Sequence, residues 1–256
     1  MKRKKPSENA SIPSFLIFLI FTLVLCIFCT LLTIHDNRAA TSAPTNADSI
    51  TNKSPVDSSS HAPIRTVVID PGHGGEDGGA SSASGLVEKD INLAVALILR
   101  DYLTAAGIPT VLTRDEDTLL YDKAADHEGR KKMLDLSSRL CTANDTENAI
   151  FVSIHMNSFA QPQYKGLQVW YSKNDPLSAD IAKRIQDTAA KFFPENSRKI
   201  KAAGDNIYLL HRLDCPAVLV EGGFLSNPEE AALLGTPEHQ KTLAYVIFSS
   251  IMEYIQ

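Results

Sequence analysis

Thr66-Val67-Val68-Ile69-Asp70-Pro71-Gly72-His73-Gly74-Gly75 joins an unbroken apolar run to a polar, glycine-rich turn. The β-branched run reads as a buried strand. The same grammar recurs twice downstream. Ala149-Ile150-Phe151-Val152-Ser153-Ile154 runs into His155, and Ala217-Val218-Leu219-Val220 runs into Glu221-Gly222-Gly223. Residues 110–112 and 167–171 read as further strands, and 207–210 as extended. Between them lie helical patterns. Residues 88–102 place Ile91, Ala94, Val95, Ile98 and Leu99 on one stripe, with Gly107 beyond the end. Residues 131–143, 177–193 and 238–254 read as helices too, the second of these stopped by Pro194. Strands alternating with helices predict an α/β domain with a mostly parallel sheet, covered on both faces.

The polar residues fall where such a fold places ligands, at the carboxyl ends of the strands. If the three strong strands are parallel neighbours, His73, His155 and Glu221 converge. Two His and a carboxylate make a zinc set that leaves a fourth position for water, and a second carboxylate can take the water's proton. Glu88 and Glu221 are both eligible for either carboxylate role. Glu88 opens the first predicted helix after the Gly/Ser-rich stretch 78–85, which can fold that helix start back over the strand ends.

Each of these residues also has an ordinary reading. A lone His is usually a surface residue, and His35, His61, His127, His211 and His239 are read so. Glycines flank His73 and allow close backbone approach to a ligand, and His155 follows a fully apolar strand. Glu88 alone is a routine helix-start acid. Glu221 at a core strand end is costly unless paired or functional. The glycines of 72–79 lack the Lys-Ser/Thr ending of a phosphate loop. Asp70 and Asn157 are candidates to orient the imidazoles. Arg139 reads as a helix-surface residue, with a peptide carboxylate as its alternative partner. Cys141 and Cys215 read as ordinary packing.

The 256 residues are 44% hydrophobic and 21% charged, which excludes a disordered or collagen-like chain. Four Cys are too few for a disulfide scaffold. Removing the positive charges of Lys2, Arg3, Lys4 and Lys5 from the net −5 leaves −9 on residues 6–256, which argues against nucleic acid as a partner. Those four residues form a basic tail within 1–14. Residues 15–34 are apolar and uncharged, long enough to span a bilayer of about 30 Å. The positive-inside rule leaves the tail in the cytoplasm and the body outside, a single-pass cell-membrane protein. A cleaved signal peptide, with Ala39-Ala40 as small residues near its end, is the rival reading. Cys26 and Cys29 fall inside this run and read as embedded thiols. Residues 35–63, rich in Ser, Thr, Asn, Ala and Pro, read as a flexible linker, and 64–256 as the catalytic domain.

Five motifs then occur in order: Asp70-Pro71-Gly72-His73-Gly74-Gly75, Glu88-Lys89-Asp90-Ile91-Asn92-Leu93, Thr113-Arg114, Ser153-Ile154-His155-Met156-Asn157, and Val220-Glu221-Gly222-Gly223-Phe224-Leu225-Ser226-Asn227. Over about residues 64–256 the chain resembles the zinc-dependent N-acetylmuramoyl-L-alanine amidases of the type 3 family. The resemblance implies one zinc ion (Zn2+) per chain, held by His73, Glu88 and His155, with Glu221 as the catalytic carboxylate. It implies a six-stranded sheet flanked by helices and peptidoglycan as substrate. Met156-Asn157-Ser158-Phe159, Gln168-Val169-Trp170-Tyr171-Ser172 and the membrane anchor resemble the CwlD type of spore-forming bacteria. That type removes peptides from spore-cortex muramic acid on the way to muramic-δ-lactam, for germination. No stretch is long enough for the inhibitory helix of some envelope amidases, so control would fall to a sporulation partner protein or to sporulation timing. Gly78 stands where the family commonly has proline, and Gly222-Gly223 where the CwlD type often has Cys-Gly. Segment 119–134 is longer and more charged than in minimal members. The alternatives are another wall-directed zinc hydrolase, a peptidase or deacetylase, and a non-catalytic wall-binding regulator.

Overall fold

A computed structural model describes residues 65–124 and 127–255. The tail, membrane segment and linker expected over 1–63 lie outside the described residues, as do His35, His61, Cys26, Cys29 and Ala39-Ala40. Among the described residues no helix is long and apolar enough to cross a membrane.

The elements run β1 (Thr66–Pro71), α1 (Glu88–Ala105), β2 (Thr110–Leu112), α2 (Lys131–Asn144), β3 (Ala149–Asn157), β4 (Gln168–Tyr171), α3 (Leu177–Phe192), β5 (Lys201–Ala202), α4 (Tyr208–Arg212), β6 (Ala217–Phe224), α5 (Pro228–Leu234) and α6 (Pro237–Ile255). Six strands form one sheet in the order β2-β1-β3-β6-β4-β5. The neighbours β2, β1, β3 and β6 are parallel. β4 runs antiparallel to β6, and β5 follows β4. The sheet is therefore mixed, with the two strands at one side reversed. The reason is the β3–β4 connection. It holds no helix to carry the chain back to the starting edge, as a parallel return requires, so β4 sets off from the end where β3 finishes.

Period-2 alternation divides the side chains between two layers. Val67, Ile69, Ile150, Val152, Ile154, Val218 and Val220 point to one face, against α1, α3 and α6. α1 meets them with Ile91, Val95, Ala96, Leu99 and Leu103, all buried. Val68, Phe151 and Ala217 point to the other face, where among the described residues α2 and α4 cover them through Ala143, Leu209 and Leu210, with Ala203 and Leu213 beside them. Burying each large aliphatic side chain contributes about 1.5–3 kcal/mol, so the first layer carries most of the hydrophobic stabilisation. The thinner second layer leaves room over the strand ends.

Two elements depart from the sequence expectation. Residues 207–210 are not extended: Tyr208–Arg212 is a short helix, and the sixth strand is the two-residue β5. A short apolar run cannot be told from a helical turn by periodicity, and Leu209 and Leu210 bury by packing on the second layer. The helix α5 is absent from the sequence expectation. Its start is nonetheless written in the chain: Asn227 Oδ1 accepts hydrogen bonds from Glu229 N and Glu230 N at 3.0 Å each, and Pro228 opens the first turn.

Candidate metal centre

The registers Asp70↔Ser153, Pro71↔Ile154 and His155↔Glu221 bring the ends of β1, β3 and β6 side by side. By alternation, Asp70, Ser153, His155 and Glu221 emerge on the α2/α4 face. His73 lies just past β1 with φ +63°, a left-handed conformation uncommon for a non-glycine residue and concentrated at functional sites. Two glycines make room for the rings. A Cβ on Gly72 would sit 2.2 Å from the His155 ring. One on Gly79, which has φ +69°, would meet Glu88 Oε2 at 2.5 Å and the His73 ring at 2.7 Å.

Glu88 is the hub. It is 3% exposed, and its Oε1 lies 3.3 Å from His73 Nε2 and 2.9 Å from His155 Nδ1. Oε1 also accepts from Met156 N at 3.1 Å and Asn92 Nδ2 at 3.3 Å, while Oε2 accepts from Ala80 N at 2.8 Å. One donor atom from each of His73, Glu88 and His155 lies within 4.8 Å of the others. In a tetrahedral site with bonds of about 2.0–2.1 Å, ligand atoms stand about 3.3 Å apart. Two N and one O at these spacings fit a divalent cation. The electrostatics agree. Burial opposes ionisation of Glu88, but the two imidazoles outweigh it and hold the carboxyl far below its ordinary value. Burial would lower His73, yet Glu88 and Asp77 raise it.

Glu221 stands across the strand pair from His155. Burial pushes its carboxyl up to about 7; the imidazoles of His155 and His73 pull it down, the Glu88 charge pushes it further up. Its Oε2 is shielded from water and has no hydrogen-bond partner. His73, His155 and Glu221 line one cleft of about 300 Å³ between α2 and α4, with Arg139, Tyr208 and Leu209 along its walls.

A buried polar frame holds the strand ends behind this site. Arg139, 1% exposed, donates to Asp70 Oδ1 at 2.7 Å, Asp135 Oδ2 at 2.8 Å, Pro71 O at 2.8 Å and His73 O at 2.7 Å. The helix-surface reading of Arg139 is therefore corrected: α2 turns this residue inward because β1 ends on a buried carboxylate that needs a partner. Asp70 also accepts from Ser153 and Thr113 at 2.7 Å each, so it steers the backbone and touches neither imidazole. Asn157 bonds Ser158 N and likewise does not orient the rings. Asp77 takes that place: its Oδ1 is 3.0 Å from His73 Nδ1, with the ring turned off good hydrogen-bond geometry. Arg114 donates to Pro71 O at 2.9 Å and to Gly72 O and Lys89 O at 3.0 Å each, tying the β1 turn to the start of α1.

Asp77 and Asn92 escaped the sequence reading, though each sits four residues after a ligand candidate, and for Asn92 that is the helical spacing that shares a face. His127, His211 and His239 lie elsewhere: against Tyr121, beside Asp205 and against Phe193. Cys141 and Cys215 are free thiols, and burial pushes Cys215 up to about 11, an inert sulfur.

The comparisons with known proteins converge with this geometry. A family model described as N-acetylmuramoyl-L-alanine amidase matches residues 67–253. The germination-specific N-acetylmuramoyl-L-alanine amidase of Bacillus subtilis (strain 168) is 38% identical over 190 residues, covering 74% of this chain and 79% of that protein. The CwlD amidase from Clostridioides difficile, solved in complex with the GerS lipoprotein, superposes with a TM-score of 0.70 at 36% identity, over 74% of this chain and 98% of that one. The catalytic domain of CwlV from Bacillus (Paenibacillus) polymyxa var. colistinus gives 0.64 at 32%, over 75% and 98%. The family match spans both imidazoles, both glutamates and every strand end that carries them, and the chain belongs to the N-acetylmuramoyl-L-alanine amidase family.

Proposed function

We propose that this chain is a zinc-dependent amidase that hydrolyses the amide between the lactyl carbonyl of N-acetylmuramic acid and L-alanine of the stem peptide, in spore-cortex peptidoglycan. The observation that carries the reading is the convergence of His73 Nε2, Glu88 Oε1 and His155 Nδ1 beside a cleft that both imidazoles line together with Glu221, whose Oε2 has no hydrogen-bond partner. His73, Glu88 and His155 would hold the zinc ion, which would supply Lewis acidity toward the lactyl carbonyl and a more acidic water.

Glu221 accepts the proton from the attacking water and hands it to the departing alanine nitrogen. Its burial and lack of a competing hydrogen bond keep it free for both transfers. Glu88 and His155 hold their positions through backbone and strand register, so little reorganisation accompanies the reaction. Asp77 orients the His73 ring from behind. The acidic body does not attract an anionic wall over distance, so capture depends on contacts within the cleft and its rim.

The uncharged segment 15–34 belongs to this proposal as a single-pass anchor that leaves the catalytic domain outside the cytoplasm. So does a sporulation partner, of the lipoprotein kind that the C. difficile CwlD structure contains.

The deciding experiment digests purified cortex peptidoglycan with the full chain, with and without chelator, and analyses the products by mass. New N-terminal L-alanine on intact stems, abolished by chelator, is the expected result. Released acetate or shortened stems would point instead to a deacetylase or a peptidase.

A further inference from the structure

β3 and β6 continue past the metal centre. Asn157 pairs with Phe224, two positions beyond His155, or about 7 Å further along the strands. The chain then forms the loop 158–167 before β4. Phe159 and Tyr164 stand on that loop, 47% and 43% exposed. Their rings meet edge to face at 5.3 Å and rest on the fully buried Phe224 at 5.4 and 6.4 Å. The Arg198 guanidinium covers the Phe224 ring at 4.4 Å and donates to Lys165 O at 2.6 Å and Gln168 Oε1 at 3.1 Å. Gln168 is the cross-strand neighbour of Glu221.

The loop is pinned along its length. Phe159 N donates to Ser226 Oγ at 3.0 Å, Asn227 Nδ2 to Pro162 O at 2.9 Å and Gly166 N to Glu230 Oε1 at 2.8 Å. Neither Phe159 nor Tyr164 belongs to the two hydrophobic clusters of the core. The chain nonetheless fixes both rings, half in water, on Phe224 at the end of the strand that carries Glu221. The two rings touch one another and so form a small continuous apolar patch.

We propose that Phe159 and Tyr164 form a saccharide-binding shelf that seats the hexosamine next to the reacting muramic acid, and so favours long glycan strands as substrate. The proposal rests on the amidase reading. The scissile amide hangs from a sugar, so a sugar ring must approach Glu221, and the glycan strand can continue toward Phe224, three residues further along the same strand, where the two rings sit. Pyranose rings offer flat C–H faces that pack on aromatic rings while their hydroxyls stay wet, and the Tyr164 hydroxyl keeps one edge polar. This mode of capture needs no charge, which suits an acidic protein on an anionic polymer. A protein partner fits less well. Two half-exposed rings fall far short of the roughly 800 Å² per partner of a stable protein interface.

The test compares the full chain with its Phe159→Ala/Tyr164→Ala variant on two substrates: peptide-bearing glycan strands of several disaccharides, and a single N-acetylmuramoyl peptide. The shelf predicts a KM about tenfold higher on strands, with kcat/KM on the single-sugar substrate unchanged. Tyr164→Ala alone should give part of the loss, and the Phe159→Tyr/Tyr164→Phe variant should restore it. Equal losses on both substrates, or none on either, overturn the proposal. A second measurement is saturation-transfer NMR of peptide-free glycan strands against the Glu221→Gln protein, with and without the two alanines. A saturation-transfer signal that disappears when the alanines are present supports the shelf, and an undiminished signal refutes it. This readout needs no turnover, so it decides the shelf even if wild type cleaves neither substrate, the outcome that would overturn the amidase reading alone.

Discussion

Single side chains divide the labour at the metal centre, and each makes a different prediction. Glu221→Gln removes the proton carrier but no ligand. Turnover should fall about 10²–10⁴-fold while elemental analysis still finds one zinc per chain; a variant with near-normal rates would remove Glu221 from the mechanism. Asp77→Ala leaves every ligand in place but frees the back of the His73 ring. Its metal affinity should drop about 10–100-fold, measured by competition with a chromogenic chelator. Gly72→Ala drives a Cβ to within 2.2 Å of the His155 ring and should lose metal more severely than Asp77→Ala. At this scale the sequence is informative but ambiguous. Glycines beside His73 and a carboxylate after Val220 mark those residues as unusual, whereas Glu88 looks like any helix-start acid. The motif Glu88-Lys89-Asp90-Ile91-Asn92-Leu93 singles it out by resemblance, and its meeting with two imidazoles gives the physical reason.

At the scale of elements, α2 docks on the sheet through one buried ion pair rather than through a broad apolar face. Burial alone would raise Asp70, but the Arg139 charge and the hydroxyls of Ser153 and Thr113 outweigh it and hold the carboxyl below its ordinary value. Arg139→Met leaves that carboxylate and Asp135 buried without their partner and should cost about 3–5 kcal/mol in denaturant unfolding. The pH dependence follows in sign. A carboxyl lowered in the folded state stabilises the protein above its unfolded value of about 3.9 and loses that contribution as pH falls through the lower folded value. The stability gap between wild type and Asp70→Asn should therefore be full at neutral pH and shrink below about pH 4. The helical stripes and the three strong strands are legible in the chain, because apolar periodicity reports directly which face is buried. The inward turn of Arg139 is not, since a lone Arg among Ser, Leu and Cys carries no sign of the carboxylate it will meet 69 positions away. The reversal of β4 and the turn of 208–212 into α4 are hidden for the same reason: pairing direction and packing are long-range decisions.

For the whole molecule, apolar side chains from both faces of the sheet form the core among the described residues, which predicts a fold that outlasts loss of the metal. Chelation should abolish turnover yet leave the far-ultraviolet circular dichroism intact. The Tm should fall by about 5–10 °C from a state with zinc at about 100 times its Kd. Collapse of the secondary structure on chelation would instead make the metal part of the folding core. What the chain determines by itself is local and periodic: which stretches are apolar, with what period, and which polar residues interrupt them. That was enough for the α/β layers and for marking His73, His155 and Glu221 as out of place in a core; the ligand role of Glu88 came from the motif resemblance. What only the tertiary structure decided is which distant groups share a few ångströms. Glu88 reaches His155 across 67 positions and Arg139 finds Asp70 because strand register and helix docking set those distances. No local preference encodes them; they follow from burying two faces of one sheet at once.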